Sequence, residues 1–202
     1  MTKIKLCGLS RPCDIEVANS LEPEYVGFVF APKSKRYLSP EKAKELKSLL
    51  SEQIQAVGVF AGETPENIAL LLGGGVIDIA QLHGDEDEEF IANLRTLTDK
   101  PIIKAFRVES EKDIEKASSS SADFILLDSG AGTGITFNWQ YIKNIQRPYF
   151  LAGGLDSENV QAAIKQLAPF AVDVSSGIET DGLKDRQKMK AFAAAVRKEV
   201  KL

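Results

Sequence analysis

Short apolar runs that alternate with helical segments are the feature that most constrains the fold of this chain. Eight such runs occur: Ile4–Leu6, Val26–Phe30, Ala56–Phe60, Ile77–Leu82, Ile102–Phe106, Phe124–Leu127, Tyr149–Ala152 and Ala171–Val174. Strands that alternate with helices at about 25 residues per unit indicate a parallel sheet, and eight units predict closure into a (β/α)₈ barrel. An open doubly wound sheet is the alternative, but no G-x-G-x-x-G motif follows the first run. Residues 1–202 are predicted to form one domain.

Helix signals separate these runs. Ser39-Pro40-Glu41 and Thr64-Pro65-Glu66 each combine a capping hydroxyl, a proline at the first helical position and an acidic residue in the first turn. Helices are predicted over Pro40–Leu50, Pro65–Leu72, Glu86–Leu97 and Ser157–Leu167. The segment from about Lys184 is predicted to be the eighth helix, with one apolar face formed by Met189, Phe192, Ala193, Val196 and Val200.

Composition narrows the classes of function. A net charge of −4 argues against nucleic acid as a partner, because phosphate-backbone binders usually carry a basic face. No apolar stretch reaches the roughly 18 residues of a membrane span and no signal-peptide pattern opens the chain, so neither membrane contact nor export is expected, and a cytoplasmic location is predicted. Cys7 and Cys13 match neither a zinc spacing nor a disulfide framework and are interpreted as reduced thiols, with Cys13 assigned to packing.

Small residues follow the last two strands. Gly153-Gly154 comes after the seventh run, and Ser175-Ser176-Gly177 comes after the eighth. Each of these two lips alone could be a tight turn that needs no ligand. Because they follow consecutive strands, where backbone N–H groups of both can converge on one anion, the pair favours phosphate binding.

The other strand ends carry the groups for proton transfer. Barrel active sites collect at the carboxyl ends of strands, which here are followed by Cys7, Lys33 to Arg36, Phe60, His83 with Asp85, Arg107 and Asp128. With one histidine in the chain, metal catalysis is not expected, and neither a G-x-x-x-x-G-K-[ST] loop nor a G-x-S-x-G elbow occurs.

Proton transfer on a phosphorylated small molecule remains, with Cys7 and Asp128 facing each other across the barrel mouth. Residues alone leave other readings open. Cys7 could be a small buried hydrophobe, Asp128 could cap a turn, and His83 could cap the next helix or bond a loop carbonyl.

At these residues the chain resembles the phosphoribosylanthranilate isomerases of tryptophan biosynthesis. The resemblance rests on the ordered segments KLCGL (5–9), VGFVFAPKSKR (26–36), VGVF (57–60), QLHGDE (81–86), LLDSGAGTGITFNW (126–139), LAGGLDSENV (151–160) and VDVSSGIETDGLKD (172–185). It implies a (β/α)₈ barrel and an Amadori rearrangement without metal or organic cofactor. The family's base falls on Cys7, its acid on Asp128 and its arginine for the anthranilate carboxylate on Arg36. The loop Gly130–Gly134 is shorter than in many relatives.

Other assignments follow from the same positions. The phosphoribosyl substrate would be held by His83, by Gly153 and Gly154, and by Ser175, Ser176 and Gly177. Rival readings are the related isomerase of histidine biosynthesis, whose base at Cys7 would be an aspartate, and a phosphometabolite-binding barrel without activity. A phosphosugar epimerase would need metal ligands that this chain lacks. The sequence leaves a homodimer and a monomer equally open.

Overall fold

Eight parallel strands close into a barrel in sequence order, as predicted. The computed structural model describes residues 1–128 and 141–198. The strands are β1 (Lys3–Cys7), β2 (Tyr25–Val29), β3 (Gln55–Phe60), β4 (Ile79–Leu82), β5 (Ile102–Arg107), β6 (Phe124–Asp128), β7 (Tyr149–Ala152) and β8 (Ala171–Val174). Closure comes from β1 and β8, which pair in parallel with Lys5 opposite Asp173. The (β/α)₈ prediction is confirmed; the assignment of residues 1–202 to one domain stays a prediction.

Seven α-helices surround the described part of the barrel. They are α1 (Pro12–Leu21), α2 (Pro40–Ser48), α3 (Pro65–Gly73), α4 (Glu88–Leu97), α5 (Glu111–Ser119), α6 (Val160–Leu167) and α7 (Arg186–Arg197). The predicted caps are present: Ser39 accepts a hydrogen bond from the Lys42 backbone N–H, and Thr64 accepts one from that of Asn67. None of the helices in residues 1–128 and 141–198 is long and apolar enough to cross a membrane.

Two helices begin later than the sequence predicts. Helix α4 begins at Glu88 because Asp87 caps it by accepting from the Phe90 N–H. Helix α6 begins at Val160, because Asp156 accepts from the N–H groups of Glu158 and Asn159 and holds that stretch as a turn.

The last helix, α7, follows β8 as predicted and is the seventh α-helix of the described residues. Between β6 and β7, the described residues contain a 3₁₀-helix, Tyr141–Asn144. The loop Gly130–Gly134 and Val200 lie outside the described residues. The predicted apolar face of α7 is otherwise confirmed, since Met189, Phe192, Ala193 and Val196 are all buried.

Side chains along each strand point alternately outward to the helices and inward to the barrel interior, which divides the core into two layers. Residues such as Leu6, Phe28 and Leu127 point outward and pack beneath the helices. Tyr25, Phe124, Phe150 and Phe170 pack with other inward-facing side chains in the barrel interior. Because the side-chain period of a strand is two residues, the inward positions continue upward to the carboxyl ends of the strands, where they line a cavity.

Candidate active site

One cavity of about 330 Å³ opens at the carboxyl ends of the strands. It is lined by predicted residues from six different chain segments: Cys7, Arg36, His83, Asp128, Gly153, Gly154, Ser175 and Ser176. Ser34, Gln81 and Asp173, which were not predicted as site residues, also line it. The structure thus brings the proposed proton-transfer groups and the two lips to the same space.

Several predicted or noted residues lie elsewhere. Gly177 does not line the cavity, and Lys33 and Lys35 are exposed on the loop after β2. Arg107 is exposed and pairs with Glu109, its Nε 2.8 Å from Glu109 Oε1. The assignment of Cys13 to packing is wrong: it is exposed, since it sits on the outer side of α1.

Cys7 is the last residue of β1 and is almost fully buried. Its partner on the adjacent strand β2 is Gly27. A Cβ added to Gly27 would lie 2.6 Å from the Cys7 sulfur, so only glycine at this position leaves room for the thiol. Burial raises the pKa of the Cys7 thiol above its usual value, while the nearby Lys5 and Lys184 ammonium groups oppose this rise. Both lysines therefore favour the thiolate that a base requires.

A buried ion pair lies one inward position below the mouth. Lys5 Nζ lies 2.8 Å from Asp173 Oδ2, with both side chains buried. Burial would lower the pKa of Lys5, but Asp173 and Cys7 outweigh it and raise the pKa. Sequence reasoning missed this pair, although a lysine and an aspartate at inward positions of apolar strands were a visible signal.

His83 contacts both Asp128 and Gln81, a residue of β4. Gln81 Nε2 lies 2.8 Å from His83 Nδ1, and His83 Nε2 lies 3.5 Å from Asp128 Oδ2. With the Gln81 amide donating to Nδ1, the imidazole carries its proton on Nε2, on the side of Asp128. His83 is therefore placed to orient the carboxyl group that the sequence identified.

Arg36 is held by a carboxylate at the rim of the cavity. Its Nε and Nη2 donate to the two oxygens of Glu179 at 2.6 and 2.7 Å, and Lys184 Nζ donates to the same Glu179 at 2.6 Å. The Glu179 bond raises the pKa of Arg36. Gly8 makes room for the arginine, because a Cβ there would lie 2.4 Å from Arg36 Cδ.

Glu179 and Lys184 were not predicted. They belong to a short hairpin after β8, formed by strands β9 (Glu179–Thr180) and β10 (Leu183–Lys184). Lys184 also donates to the backbone oxygen of Ser175 at 2.9 Å. The hairpin thus ties Arg36 to the second lip, a connection that no spacing in the sequence reveals.

Both lips depend on glycine. Gly153 and Gly154 have φ of 96° and 60°, values that favour glycine. Asn159 Nδ2 donates to the Gly154 carbonyl at 2.8 Å and fixes the first lip. A Cβ on Gly177 would lie 2.0 Å from the Leu155 carbonyl oxygen, so the second lip rests directly on the chain that follows the first.

Comparisons with known proteins agree with this geometry. Residues 4–195 match the family model described as N-(5'phosphoribosyl)anthranilate (PRA) isomerase. The chain is 45% identical over 204 residues to the N-(5'-phosphoribosyl)anthranilate isomerase of Thermoanaerobacter sp. (strain X514), covering 98% of both chains. It is 45% identical over 207 residues to that of Clostridium acetobutylicum, covering 98% of this chain and 99% of the relative.

Solved structures extend the likeness to three dimensions. The phosphoribosyl anthranilate isomerase of Thermotoga maritima is 38% identical with a TM-score of 0.89, over 98% of this chain and 99% of that one. A phosphoribosyl anthranilate isomerase in complex with reduced 1-(o-carboxyphenylamino)-1-deoxyribulose 5-phosphate is 38% identical with a TM-score of 0.87 over the same shares. The chain therefore belongs to the N-(5'-phosphoribosyl)anthranilate isomerase family, the intramolecular isomerases of tryptophan biosynthesis.

Proposed function

We propose that Cys7 and Asp128 are the base and the acid with which this isomerase rearranges N-(5'-phosphoribosyl)anthranilate to 1-(2-carboxyphenylamino)-1-deoxyribulose 5-phosphate. The observation that carries the proposal is that both residues line one cavity together with Arg36 and the two lips. Strand β1 and strand β6 are separated by β7 and β8, which carry the lips. A sugar held by its phosphate at the lips would lie between the two groups.

The two ends of the substrate call for different partners. The phosphate suits the backbone N–H groups at Gly153, Gly154, Ser175 and Ser176, because glycine and serine lips let amides approach an anion closely. The anthranilate carboxylate suits Arg36, whose guanidinium has donors on more than one edge. Glu179 binds Nε and Nη2, and Arg36 lines the cavity. Gly177 supports the second lip and is proposed to act through it.

Proton transfer then proceeds in two steps. Asp128 donates a proton to the furanose ring oxygen, the C1′–O bond breaks, and the nitrogen lone pair forms a Schiff base. The Cys7 thiolate removes the C2′ proton, and the C2′–H electrons form the carbon–carbon double bond of an enolamine. Tautomerisation of the enolamine gives the ketone. Every group in the scheme is a side chain or the substrate, so we propose neither metal nor organic cofactor.

A fluorescence assay of the anthranilate-type substrate tests these roles. With EDTA present, the wild type should turn over the substrate, and Cys7→Ala and Asp128→Asn should each lose about 10²- to 10⁴-fold in kcat. A folded wild type without turnover would sink the proposal. The histidine-pathway substrate would then be tried, since that isomerase performs the same rearrangement.

Two properties stay predictions. A solved structure of the Thermotoga maritima relative is of monomers generated from a dimeric protein. The prediction for this chain is a homodimer or a monomer, and sedimentation distinguishes the two. The cytoplasmic location also stays a prediction from the sequence.

A further inference from the structure

Glu86 and Lys104 form a buried ion pair that the proposed proton transfer does not use. Lys104 Nζ lies 3.3 Å from Glu86 Oε2, and Lys104 and Glu86 are only 6% and 8% exposed. Burying two charges costs their hydration, and apolar residues of similar volume often give equal or greater stability. Stability is therefore a weak reason for this pair, and its contacts indicate a different one.

The carboxylate of Glu86 joins two loops at the carboxyl ends of the strands. Its Oε1 accepts a hydrogen bond at 2.9 Å from the N–H of Gly62, which follows β3. Its Oε2 accepts one at 2.8 Å from the N–H of Gly84, which follows β4. Burial would raise the pKa of Glu86, but these backbone N–H groups and Lys104 outweigh it and lower the pKa. Glu86 is therefore an anion that holds the two loops together.

Gly84, the residue that follows His83, is held at both of its backbone polar groups. Its N–H donates to Glu86, and its carbonyl oxygen accepts from Lys104 Nζ at 2.7 Å. His83 donates its own N–H to the Phe60 carbonyl at 2.8 Å. A Cβ on Gly84 would lie 2.8 Å from Glu86 Oε1, so the carboxylate packs directly against this backbone. The main chain that carries the imidazole is thus tied to β3 and β5 as well as to its own strand.

We propose that Glu86 and Lys104 are positioning residues that set the place of His83 and, through it, the orientation of the Asp128 carboxyl group. The inference rests on the proposed function, because it takes Asp128 as the acid. His83 Nε2 lies 3.5 Å from Asp128 Oδ2, a separation at which a small shift of the loop after β4 makes or breaks a hydrogen bond. Glu86 and Lys104 do not line the cavity, so they act through this loop and not on the substrate.

Steady-state kinetics on Glu86→Gln and Lys104→Met test the proposal. Glu86→Gln keeps the shape of the side chain but replaces one acceptor oxygen with a donor, and Lys104→Met keeps the stem but loses the bond to Gly84. Each substitution should lower kcat by about 10- to 100-fold with KM within about three-fold of wild type. KM should be retained because the proposed phosphate and carboxylate contacts lie on other loops.

His83→Ala separates an effect through the imidazole from a general one. This variant should itself have a lower kcat. In its background, Glu86→Gln should lower kcat by less than about two-fold further, because the side chain that Glu86 positions is already absent. His83 is the only histidine of the chain, so the imidazole signals in a proton NMR spectrum of the untagged protein belong to one residue. These signals should move in Glu86→Gln and in Lys104→Met.

Asp78→Asn is the matched control, because Asp78 directly precedes the same strand, β4, at its other end. Asp78 accepts from the Ala56 N–H at 2.7 Å and pairs with Lys47. Its substitution should lower the urea midpoint while leaving kcat and the imidazole signals unchanged. If Glu86→Gln does not fold, Glu86→Gln/Lys104→Met takes its place, since it removes both charges together.

The outcomes separate this inference from the proposed function. Wild-type kcat or unmoved His83 signals in Glu86→Gln would overturn the positioning role while leaving Cys7 and Asp128 in theirs. A loss of kcat that persists in full in the His83→Ala background, or a His83→Ala variant with wild-type kcat, would do the same. Wild type without turnover, in which Glu86→Gln still moves the His83 signals, would overturn the proposed function and leave the placement of His83 by this pair intact.

Discussion

The lower and upper ends of the barrel interior are built from the same eight strands but filled in opposite ways. At the lower end, Tyr25, Phe124, Phe150 and Phe170 pack ring against ring with centroids 5.3 to 5.9 Å apart. At the upper end, the inward positions carry a thiol, an imidazole and carboxyl groups, and two polar atoms remain unpaired among the described residues.

The difference separates stability from chemistry along each strand. An aromatic side chain that is fully buried contributes about 1.5–3 kcal/mol, whereas an unpaired buried polar atom costs about 1–3 kcal/mol. The packed lower end and the outer helix layer hold the strands in place, so the upper end tolerates groups that oppose folding. Substitutions at the two ends should therefore have separable effects.

Strand β6 offers the sharpest contrast, because it has an aspartate near each end. Asp128→Asn at the upper end should lower kcat by about 10²- to 10⁴-fold, since the proposed acid is lost, with the free energy of unfolding almost unchanged. Asp123 near the lower end accepts from the Ile102 N–H at 2.7 Å and pairs with Arg95. Asp123→Asn should instead destabilise by about 1 kcal/mol with kcat retained.

Urea unfolding and steady-state kinetics on both variants check this contrast. Equal losses of activity in the two variants would show that the ends are not independent.

Phe150→Ala should be the most damaging single change at the lower end. Phe150 is fully buried and contacts three other rings, so its truncation should lower the free energy of unfolding by about 3–5 kcal/mol. The kcat/KM of the protein that remains folded should stay within a few-fold of wild type. Phe150→Leu keeps more of the side-chain volume and should lose less than half as much free energy of unfolding. A large fall in kcat/KM with normal stability in either variant would contradict the separation of stability from chemistry between the two ends.

Arg36→Lys tests the rim of the cavity and should have a smaller effect than the two preceding substitutions. Lysine keeps the charge but loses the two parallel bonds to Glu179 and the planar group proposed for the substrate carboxylate. We expect KM to rise by about 10- to 100-fold with little change in kcat. With a substrate analogue that lacks the anthranilate carboxylate, wild type and Arg36→Lys should have similar KM values.

Glu179→Gln should lower stability in a pH-dependent way. Burial would raise the pKa of Glu179, but the bonds from Arg36 and Lys184 outweigh it and lower the pKa. Its stabilisation is therefore complete above the unfolded pKa near 4.3 and is lost as the pH falls through the folded value. Wild type should exceed the variant by about 1 kcal/mol at pH 7, a margin that shrinks below about pH 4.5. A margin that persists in acid would assign the effect to packing.

Much of the fold was predictable because it depends on local pattern. Eight apolar runs and marked helix starts are properties of neighbouring residues, and barrel geometry then places every strand end at one face. The positions of Cys7, His83 and Asp128 around one cavity could be predicted for that reason.

The remaining features depend on contacts between distant residues. The Lys5–Asp173 pair joins positions 168 residues apart, and the bond from Arg36 to Glu179 joins positions 143 apart. Neither contact has a sequence signal beyond a charged residue at an unexpected position. The late start of α6 was missed because Asp156 competes for backbone N–H groups that a helical pattern assigns elsewhere.

The contact of Gly177 with the Leu155 carbonyl has a consequence for how this enzyme can change over time. Backbone meets backbone there, so covalent geometry and atomic radii set the width of the proposed phosphate cleft. Mutation is unable to widen that cleft in small steps at this point, because Gly177 meets the Leu155 carbonyl without a side chain between them. Residues such as Gln81 and Arg36, by contrast, can be exchanged singly. A descendant with a new substrate would therefore keep the proposed phosphate site and change the residues that contact the rest of the substrate.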